Sequence, residues 1–161
     1  MAGAMLDVTM DTSQAGAVLA ELAERLGDIT TPLLDIAEYL HQSTDDRFVK
    51  QIAPDGLPWA PLSPVTLARK KGPRILRESG LLQDTIRHQV SDNELAFGTD
   101  RVYGAVQQFG QKRGASGTNK RGSPIPWGDI PARPYLGLSS DDESEILAIV
   151  GDYLSEPFEA D

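Results

Sequence analysis

A chain of 161 residues with 40% hydrophobic residues and no cysteine can bury one core, but it has neither a disulfide framework nor cysteine-based catalysis or metal binding. Its net charge of −9 argues against a dedicated nucleic-acid binder, because phosphate contacts need a net basic face. The first ten residues include no basic residue, and no apolar run approaches the roughly 18 residues of a membrane span. Neither a signal peptide nor a membrane segment is therefore predicted.

Two amphipathic helices are predicted near the start of the chain. Residues 1–10 are predicted to be a loose leader or an added edge strand. Apolar residues at helical spacing then predict helices over residues 11–26 and 31–52, with Thr31 as the N-cap of the second and Pro32 at its first position. The short connection makes the two helices antiparallel neighbours. The outer face of the second helix is predicted to carry His41, Asp45, Asp46 and Arg47.

A rigid loop and a hairpin are predicted next. Prolines on both sides of Trp59 hold it in place, and we expect it to plug one end of the core with its indole N–H bonded to a partner. A short helix is predicted over residues 64–71. Apolar alternation on both sides of a turn at 91–94 predicts a β-hairpin over residues 86–99. A second short helix is predicted to end at Gly110.

Charge is divided unevenly along the sequence. Residues 1–68 carry three basic and ten acidic residues, residues 69–133 carry twelve and six, and residues 134–161 carry none and eight. Unlike faces of two copies could therefore pair, although scattered surface charge that only favours solubility is the alternative.

Two basic segments occupy the middle of the chain: residues 69–77, called the basic run, and residues 111–129, called the basic loop. A loop this long without regular structure is usually functional or disordered. Contact with an acidic neighbouring protein is favoured over contact with phosphates, because the chain as a whole is acidic. The residues in question are Arg69, Lys70, Lys71, Arg74, Arg77, Lys112, Arg113, Lys120 and Arg121.

Residues 130–138, called the arm, follow the basic loop. Pro131 and Pro134 fix their own φ and push the preceding residues into extended geometry, which excludes a helix and a central strand. The arm is therefore predicted to be stiff and extended, and to end in a short edge strand at 135–138.

Arg133 lies between the two prolines of the arm, so its position is well defined. Two alternatives remain open. It contacts carboxylate or carbonyl groups of a neighbouring subunit, or it forms an internal salt bridge, for instance to Asp100 or Asp129.

A last helix is predicted over residues 141–154, with Ser140 and Glu143 as a capping box and acidic residues in its first turn. The order of elements predicts an α+β fold: an N-terminal helical hairpin and a C-terminal helix packed on a small antiparallel sheet, with a long basic loop. One domain over residues 1–161 is expected.

Catalytic and metal-binding patterns are not found. His41 and His88 are far apart in sequence and have no ligand-spaced partner, and the Asp45-Asp46 pair fits helix-surface charge better than a metal site. No nucleophile elbow, phosphate-binding loop or dinucleotide fingerprint occurs. No cofactor, metal or catalytic residue is predicted.

Four stretches in order form a recognisable pattern between about residues 48 and 154. The stretches are Pro54 to Leu62 with Thr66 and Lys70; Leu76 to Leu82; Phe97-Gly98-Thr99 with Tyr103 and Gln108-Phe109-Gly110; and Ile130 to Gly137. In this order the chain resembles the phage virion morphogenesis family, the tail-completion family of Mu-like and related tailed phages. That family often has histidine where this chain has Gln107, which favours packing or hydrogen bonding over an ionisable role there.

The resemblance implies a non-enzymatic structural protein that completes or terminates the head-proximal end of the tail and helps join it to the head. It implies a ring, sixfold to match the tail tube, located in the virion neck and assembled in the host cytoplasm. The implied partners are other copies of the chain, the tail tube or terminator, and head–tail connector proteins, with DNA in the lumen bound at most non-specifically. The alternative is an accessory protein of packaging or neck assembly that contacts DNA independently of sequence.

Interface residues follow as hypotheses. The acidic helix start at Asp141, Asp142 and Glu143 would meet the basic run of the next copy. The basic loop would reach an adjoining ring and become ordered only on assembly. The residues expected to support the structure are Trp59, Tyr103, Phe109, Pro131, Pro134 and Tyr135.

Overall fold

Two helices open the part of the chain that the computed structural model describes, residues 13–155. Helix α1 spans Ser13–Leu26 and α2 spans Thr30–Lys50, close to their predicted ranges. The predicted cap at Thr31 and first helical position at Pro32 are wrong, because α2 already begins at Thr30 and its N-cap residue is Ile29, which makes no side-chain capping bond. The Asp28 carboxylate just before the helix accepts a hydrogen bond from the Thr30 N–H at 2.9 Å. The predicted leader, residues 1–10, lies outside the described residues, and the expected single domain stays a prediction.

A two-stranded antiparallel hairpin forms the sheet, as predicted. Strands β1 (Arg87–Ser91) and β2 (Glu94–Gly98) flank a turn in which Asp92 and Asn93 both have positive φ, the geometry of a tight type I′ turn. The Asn93 side chain accepts from the Ile29 N–H at 3.2 Å and donates to the Gly27 carbonyl at 3.1 Å. The turn is thereby fixed to the α1–α2 connection.

Four further helices complete the order. Helices α3 (Pro64–Arg69) and α4 (Leu81–Asp84) precede and follow the basic run, α5 spans Gly104–Phe109, and α6 spans Ser140–Ser155. The Ser63 hydroxyl caps α3 by accepting from the Thr66 N–H at 3.2 Å. The short helix ending at Gly110 is confirmed.

Buried apolar residues form two clusters, and α2 contributes to both. Helix α6 packs on α1 and α2, while α2 packs on both strands, so the predicted α+β class is confirmed. The first cluster comprises Ala15, Leu22, Ile29, Leu33, Ile36, Leu40, Ile146 and Val150. The second comprises Phe48, Ala53, Trp59, Leu82, Ile86, Tyr135 and Leu136.

The basic loop has more internal structure than predicted. Gln111 and Ile130 exchange both backbone hydrogen bonds, at 2.8 and 2.7 Å, and so close its base. Further backbone bonds connect its two sides, including one from the Ser116 N–H to the Ile125 carbonyl at 2.9 Å. The prediction of a structureless loop is therefore wrong, because backbone groups on the two sides of the loop form hydrogen bonds with each other.

Gly110 allows α5 and the arm to approach each other closely. Its φ is +74°, and a Cβ at this position would lie 2.7 Å from the Ile130 carbonyl oxygen and 2.8 Å from the Ala132 nitrogen. Both neighbours are backbone atoms, which cannot rotate away as a side chain can. A side chain at position 110 must therefore displace the arm.

Replacement of Gly110 by Ala is expected to lower the free energy of unfolding by about 2 kcal/mol, from overpacking and an unfavourable φ. Chemical denaturation followed by circular dichroism measures this change. Gly151→Ala is the matched control, because nothing lies within 4 Å of its added Cβ inside α6. That variant should gain up to about 1 kcal/mol from helix propensity. Equal free energies of unfolding for the two variants would contradict the close approach between Gly110 and the arm.

Candidate functional site

The arm is held by side chains from elsewhere in the chain. The Gln108 amide of α5 accepts hydrogen bonds from the N–H groups of Tyr135 and Leu136, both at 3.0 Å, and donates to the Leu136 carbonyl at 2.9 Å. Gln108 is buried. The predicted edge strand at 135–138 is wrong, because this amide binds the backbone groups that a neighbouring strand would have used.

A buried ion pair fixes the junction of the arm with α6. Arg47 donates to the Asp142 carboxylate, and its other terminal nitrogen donates to the carbonyls of Gly137 at 2.8 Å and Tyr135 at 3.3 Å. Exposed fractions are 4% for Arg47 and 1% for Asp142. Two predictions are therefore wrong: Arg47 does not lie on the outer face of its helix, and Asp142 does not lie on a surface open to a second copy.

Asp142 gathers further donors around its carboxylate. It accepts from the hydroxyls of Tyr39 at 2.9 Å and Ser43 at 2.5 Å, and from the Ser139 N–H at 2.7 Å. The Ser139 hydroxyl in turn accepts from the Asp142 N–H at 3.0 Å. The capping box of α6 is thus Ser139 with Asp142, one residue before the predicted pair of Ser140 and Glu143.

Burial, hydrogen bonds and the charge of Arg47 together set the protonation states of Asp142 and Tyr39 at this junction. Burial raises the pKa of Asp142, but the Ser139 N–H, the Ser43 hydroxyl and the Arg47 guanidinium together hold it below its ordinary value. Burial, with the hydrogen bond to Asp142, raises the pKa of Tyr39 to about 12. The carboxylate is therefore charged and the phenol neutral at neutral pH.

Arg133 attaches the arm to the loop around Trp59. Its Nε donates to the Ala60 carbonyl at 2.7 Å and its Nη2 to the Pro61 carbonyl at 2.9 Å. It is 6% exposed, and burial lowers its pKa. It bonds carbonyls of its own chain and forms no ion pair within residues 13–155, so the internal salt bridge is wrong, while the contact with a neighbouring subunit stays a prediction.

The aromatic residues expected to support the structure divide into two groups. Trp59 and Tyr135 are buried, the indole N–H donates to the Pro134 carbonyl at 2.7 Å, and the Tyr135 hydroxyl donates to the Gly104 carbonyl at 3.1 Å. Tyr103 and Phe109 are instead 43% and 64% exposed. Of the two arm prolines, Pro134 is half-buried and Pro131 is exposed.

The basic run borders a cleft of about 750 Å³ between the loop after Trp59 and the arm. Lys70 is held within the run, because its ammonium donates to the carbonyls of Arg74 and Arg77 and lies 3.5 Å from the Glu78 carboxylate. Arg69, Lys71, Arg74 and Arg77 are exposed. Lys70 therefore supports the loop, and the other four cations form the outward-facing charge.

The basic loop presents its cations unequally. Lys112 pairs with Asp129 at 3.0 Å, and the Arg113 N–H donates to the same carboxylate at 2.9 Å. These two hydrogen bonds hold the pKa of Asp129 below its ordinary value, and the bond from the Arg113 N–H has the larger effect. Lys120 and Arg121 are exposed near the tip, and no ion pair reaches them from residues 13–155.

The two histidines meet, which sequence spacing did not predict. His41 Nε2 and His88 Nδ1 lie 3.0 Å apart, and Phe97 packs edge-on against the His41 ring. Burial, followed by the nearby His88, lowers the pKa of His41. Over the described range, no group of three or more His, Asp or Glu side chains could hold a metal ion.

Comparison with known protein families decides the class of protein. The model of the phage virion morphogenesis family matches residues 10–155, which includes both core clusters, the arm and α6. The chain belongs to the phage virion morphogenesis family. The resemblance inferred from the four sequence stretches is therefore confirmed.

Three similar proteins align with the chain over most of their length. The chain is 31% identical to the putative capsid assembly protein G of Escherichia phage Mu over 88% of this chain and 89% of that protein. It is 31% identical to the tail completion protein S of Escherichia phage P2 over 72% and 77%, respectively. It is also 27% identical to the Mu-like prophage FluMu G protein 2 of Haemophilus influenzae over 92% and 96%. No solved structure gives a significant match.

The family stretches correspond to the contacts that hold the arm. They include Trp59, Gln108 and Arg133, which bond to or extend from the arm. Gln107, where the family often has histidine, is half-buried, and its carbonyl accepts from the Arg133 N–H at 2.7 Å. Arg47 and Asp142 lie outside these stretches, so the pattern that identified the family did not reveal the ion pair.

Proposed function

We propose that this chain is a structural protein that completes or terminates the head-proximal end of a phage tail and helps join the tail to the head. The observation that supports this proposal most strongly is the family match over residues 10–155. The proteins similar to this chain include one named a tail completion protein and one named a putative capsid assembly protein. The role is structural and not enzymatic. No helix among residues 13–155 has the length and apolarity needed to cross a membrane.

The proposed assembly is a ring, with six copies to match the tail tube. Exposed cations of the basic run and exposed acids of α6 belong to different parts of one subunit, so a basic surface of one copy can meet an acidic surface of the next. Heterologous contacts of this kind close into rings. The proposed partners are further copies, the tail tube or terminator, and head–tail connector proteins. The proposed location is the neck of the virion, after assembly in the host cytoplasm.

Charge reversal in the basic run tests the ring. Arg69→Glu with Lys71→Glu is expected to reduce the ring fraction at least about tenfold at low salt, because attraction becomes repulsion at each subunit boundary. Native mass spectrometry measures the copy number. Lys70 stays unchanged because it supports the loop.

The matched control is Lys50→Glu with Arg87→Glu, which makes the same charge change at exposed positions outside the basic run. It should leave the ring intact. Adding Asp141→Lys and Glu143→Lys to the variant with the reversed basic run should restore rings, because the two contacting surfaces then again carry opposite charges. A ring that survives the first reversal, or one that the control breaks, would contradict the proposed contact.

The basic loop is proposed to contact the adjoining ring. Replacing residues 118–124 by Asn-Gly keeps both backbone hydrogen bonds of Ile125, with Ser116 and with Gly117, and removes Lys120 and Arg121 with the tip. We expect a melting temperature within a few degrees of the parent and intact rings, but at least about tenfold fewer infectious particles in a head–tail joining assay. Normal joining by this variant would remove the loop from the interface. Lys112→Ala is the control because it keeps the tip.

A second candidate function is sequence-independent DNA contact. The exposed pair Lys120 and Arg121 favours it, since both are free to reach phosphates. Binding of duplex DNA to the purified protein would then weaken steeply with salt. Fluorescence anisotropy with labelled DNA at two salt concentrations distinguishes this role from a purely protein-contacting one.

A further inference from the structure

The outer edge of β2 is not paired with any strand among residues 13–155. Ser91 and Glu94 flank a two-residue turn and exchange backbone hydrogen bonds, and such pairs alternate along an antiparallel ladder. Leu95 and Phe97 therefore direct their N–H and C=O groups away from β1. No donor or acceptor within residues 13–155 reaches these four groups. A row of free strand groups is a template for another strand.

An apolar groove of about 680 Å³ runs along this edge. Consecutive residues 93–97 form one wall, residues 136–138 contribute to another, and α1 contributes Ala15, Leu19 and Ala23. Residues of α2 that belong to the first core cluster line the groove as well. The groove is therefore apolar and has a hydrogen-bonding edge, which suits an extended peptide with one apolar face.

The sequence contains a segment with these properties shortly before α1, which lines the groove. Residues 6–10 read Leu-Asp-Val-Thr-Met, in which apolar and polar residues alternate as in a strand with one buried face. The segment has five residues, as β2 has. With its apolar residues on the face that Leu95 and Phe97 share, its Asp7 and Thr9 would point to solvent.

We propose that residues 6–10 add to the free edge of β2 as a third strand within the same chain. Only two residues separate Met10 from the start of α1 at Ser13, and α1 lines the groove. Such a short tether gives the segment a far higher effective concentration at the groove than a second copy can reach. A connection of two residues is normal between a strand and a helix.

The direction of the added strand also follows. The Asn93 bond to Gly27 places the hairpin turn at the end of α1, so the start of α1 lies toward the end of β2. A strand that leads into α1 therefore runs parallel to β2. The inference does not depend on the proposed function, because it concerns the folding of one subunit.

Engineered disulfides test this placement, since the chain has no cysteine of its own. Ala96 is exposed and points to the face opposite Leu95 and Phe97. Ala96→Cys combined with Asp7→Cys or with Thr9→Cys covers two registers, and one of the two pairs should form a disulfide within a monomer. Non-reducing electrophoresis and intact mass identify it. Ala96→Cys with Val8→Cys is the matched control and should not crosslink, because its side chains point to opposite faces.

Each result decides the proposal. A disulfide within the monomer in one solvent-face pair, and none in the control, supports it. Disulfide-linked dimers would assign the groove to a neighbouring copy and overturn it, and so would the absence of any crosslink in both pairs.

Hydrogen exchange gives a second measurement that needs no cysteine. Deleting residues 1–10 should raise the exchange rates of the Leu95 and Phe97 amides at least about tenfold. The Ala96 amide, which bonds to β1, should keep its rate and serves as the internal control. Unchanged rates at all three amides would overturn the proposal even if the disulfide variants failed to fold.

Discussion

Asp142→Ala is expected to lower the free energy of unfolding by about 4 kcal/mol, in the range of 3–5 kcal/mol for breaking a buried ion pair. Arg47 would then be a buried cation without its counterion, keeping only carbonyl partners and Ser43. The hydroxyl of Tyr39 and the N–H of Ser139 would lose their acceptor as well. Urea unfolding followed by tryptophan fluorescence measures the loss.

Two further variants distinguish the effect of the buried Arg47–Asp142 pair from that of an exposed ion pair. Arg25→Ala removes an exposed ion pair with Glu21 and should cost at most about 0.5 kcal/mol. Arg47→Met combined with Asp142→Leu should recover part of the loss, because no buried charge then lacks its partner. If Asp142→Ala were as mild as Arg25→Ala, the ion pair would not stabilise the junction.

Acid should have the same effect as this substitution. The pKa of Asp142 is lower in the folded protein than its ordinary value of 3.8, so its contribution is fully present above pH 3.8 and is lost as pH falls through the lowered value. Tyr39 behaves oppositely: its raised pKa gives stability below pH 10 that is lost as pH rises through about 12. In Asp142→Ala the acid dependence should therefore be shallower than in the parent protein.

Gln108→Ala is expected to cost about 3 kcal/mol, because it leaves three buried backbone groups of the arm without partners. Two N–H groups and one carbonyl, on Tyr135 and Leu136, would then be buried without a hydrogen bond. Water cannot readily replace the amide, since both residues are nearly inaccessible to solvent. Thermal and urea unfolding measure the loss.

Adjacent residues provide the control for Gln108. Gln107→Ala should cost less than about 1 kcal/mol, because no hydrogen bond to the Gln107 side chain is found among residues 13–155 and its carbonyl remains. Gln108→Glu keeps the shape but places an oxygen opposite the Leu136 carbonyl, so it should be destabilising too. Equal losses at positions 107 and 108 would show that packing, and not the amide contact, holds the arm.

Local sequence features predicted the elements that local forces determine. Helical spacing found α1, α2 and α6, and alternation about Asp92-Asn93 found the hairpin, because the same residues that form each element also bury its apolar face. The resemblance identified the family, which the match over residues 10–155 confirmed.

Contacts between distant residues were not predictable in this way. A charged residue in a helix is expected to face solvent, and only the fold shows that Arg47 meets a carboxylate 95 positions away. The edge strand at 135–138 was predicted from the extended geometry that the arm prolines impose, but Gln108 takes the place of a neighbouring strand. The length of the basic loop suggested a functional or disordered segment without regular structure, whereas the backbone of Gln111 and Ile130 pairs across its base.

The arm depends on side chains from α2 and α5, so it cannot be expected to keep its conformation outside this fold. Grafted onto another scaffold, residues 130–138 would retain their prolines but lose the amide of Gln108 and the guanidinium of Arg47. Protein engineers who wish to transplant this feature must therefore carry those two distant side chains with it.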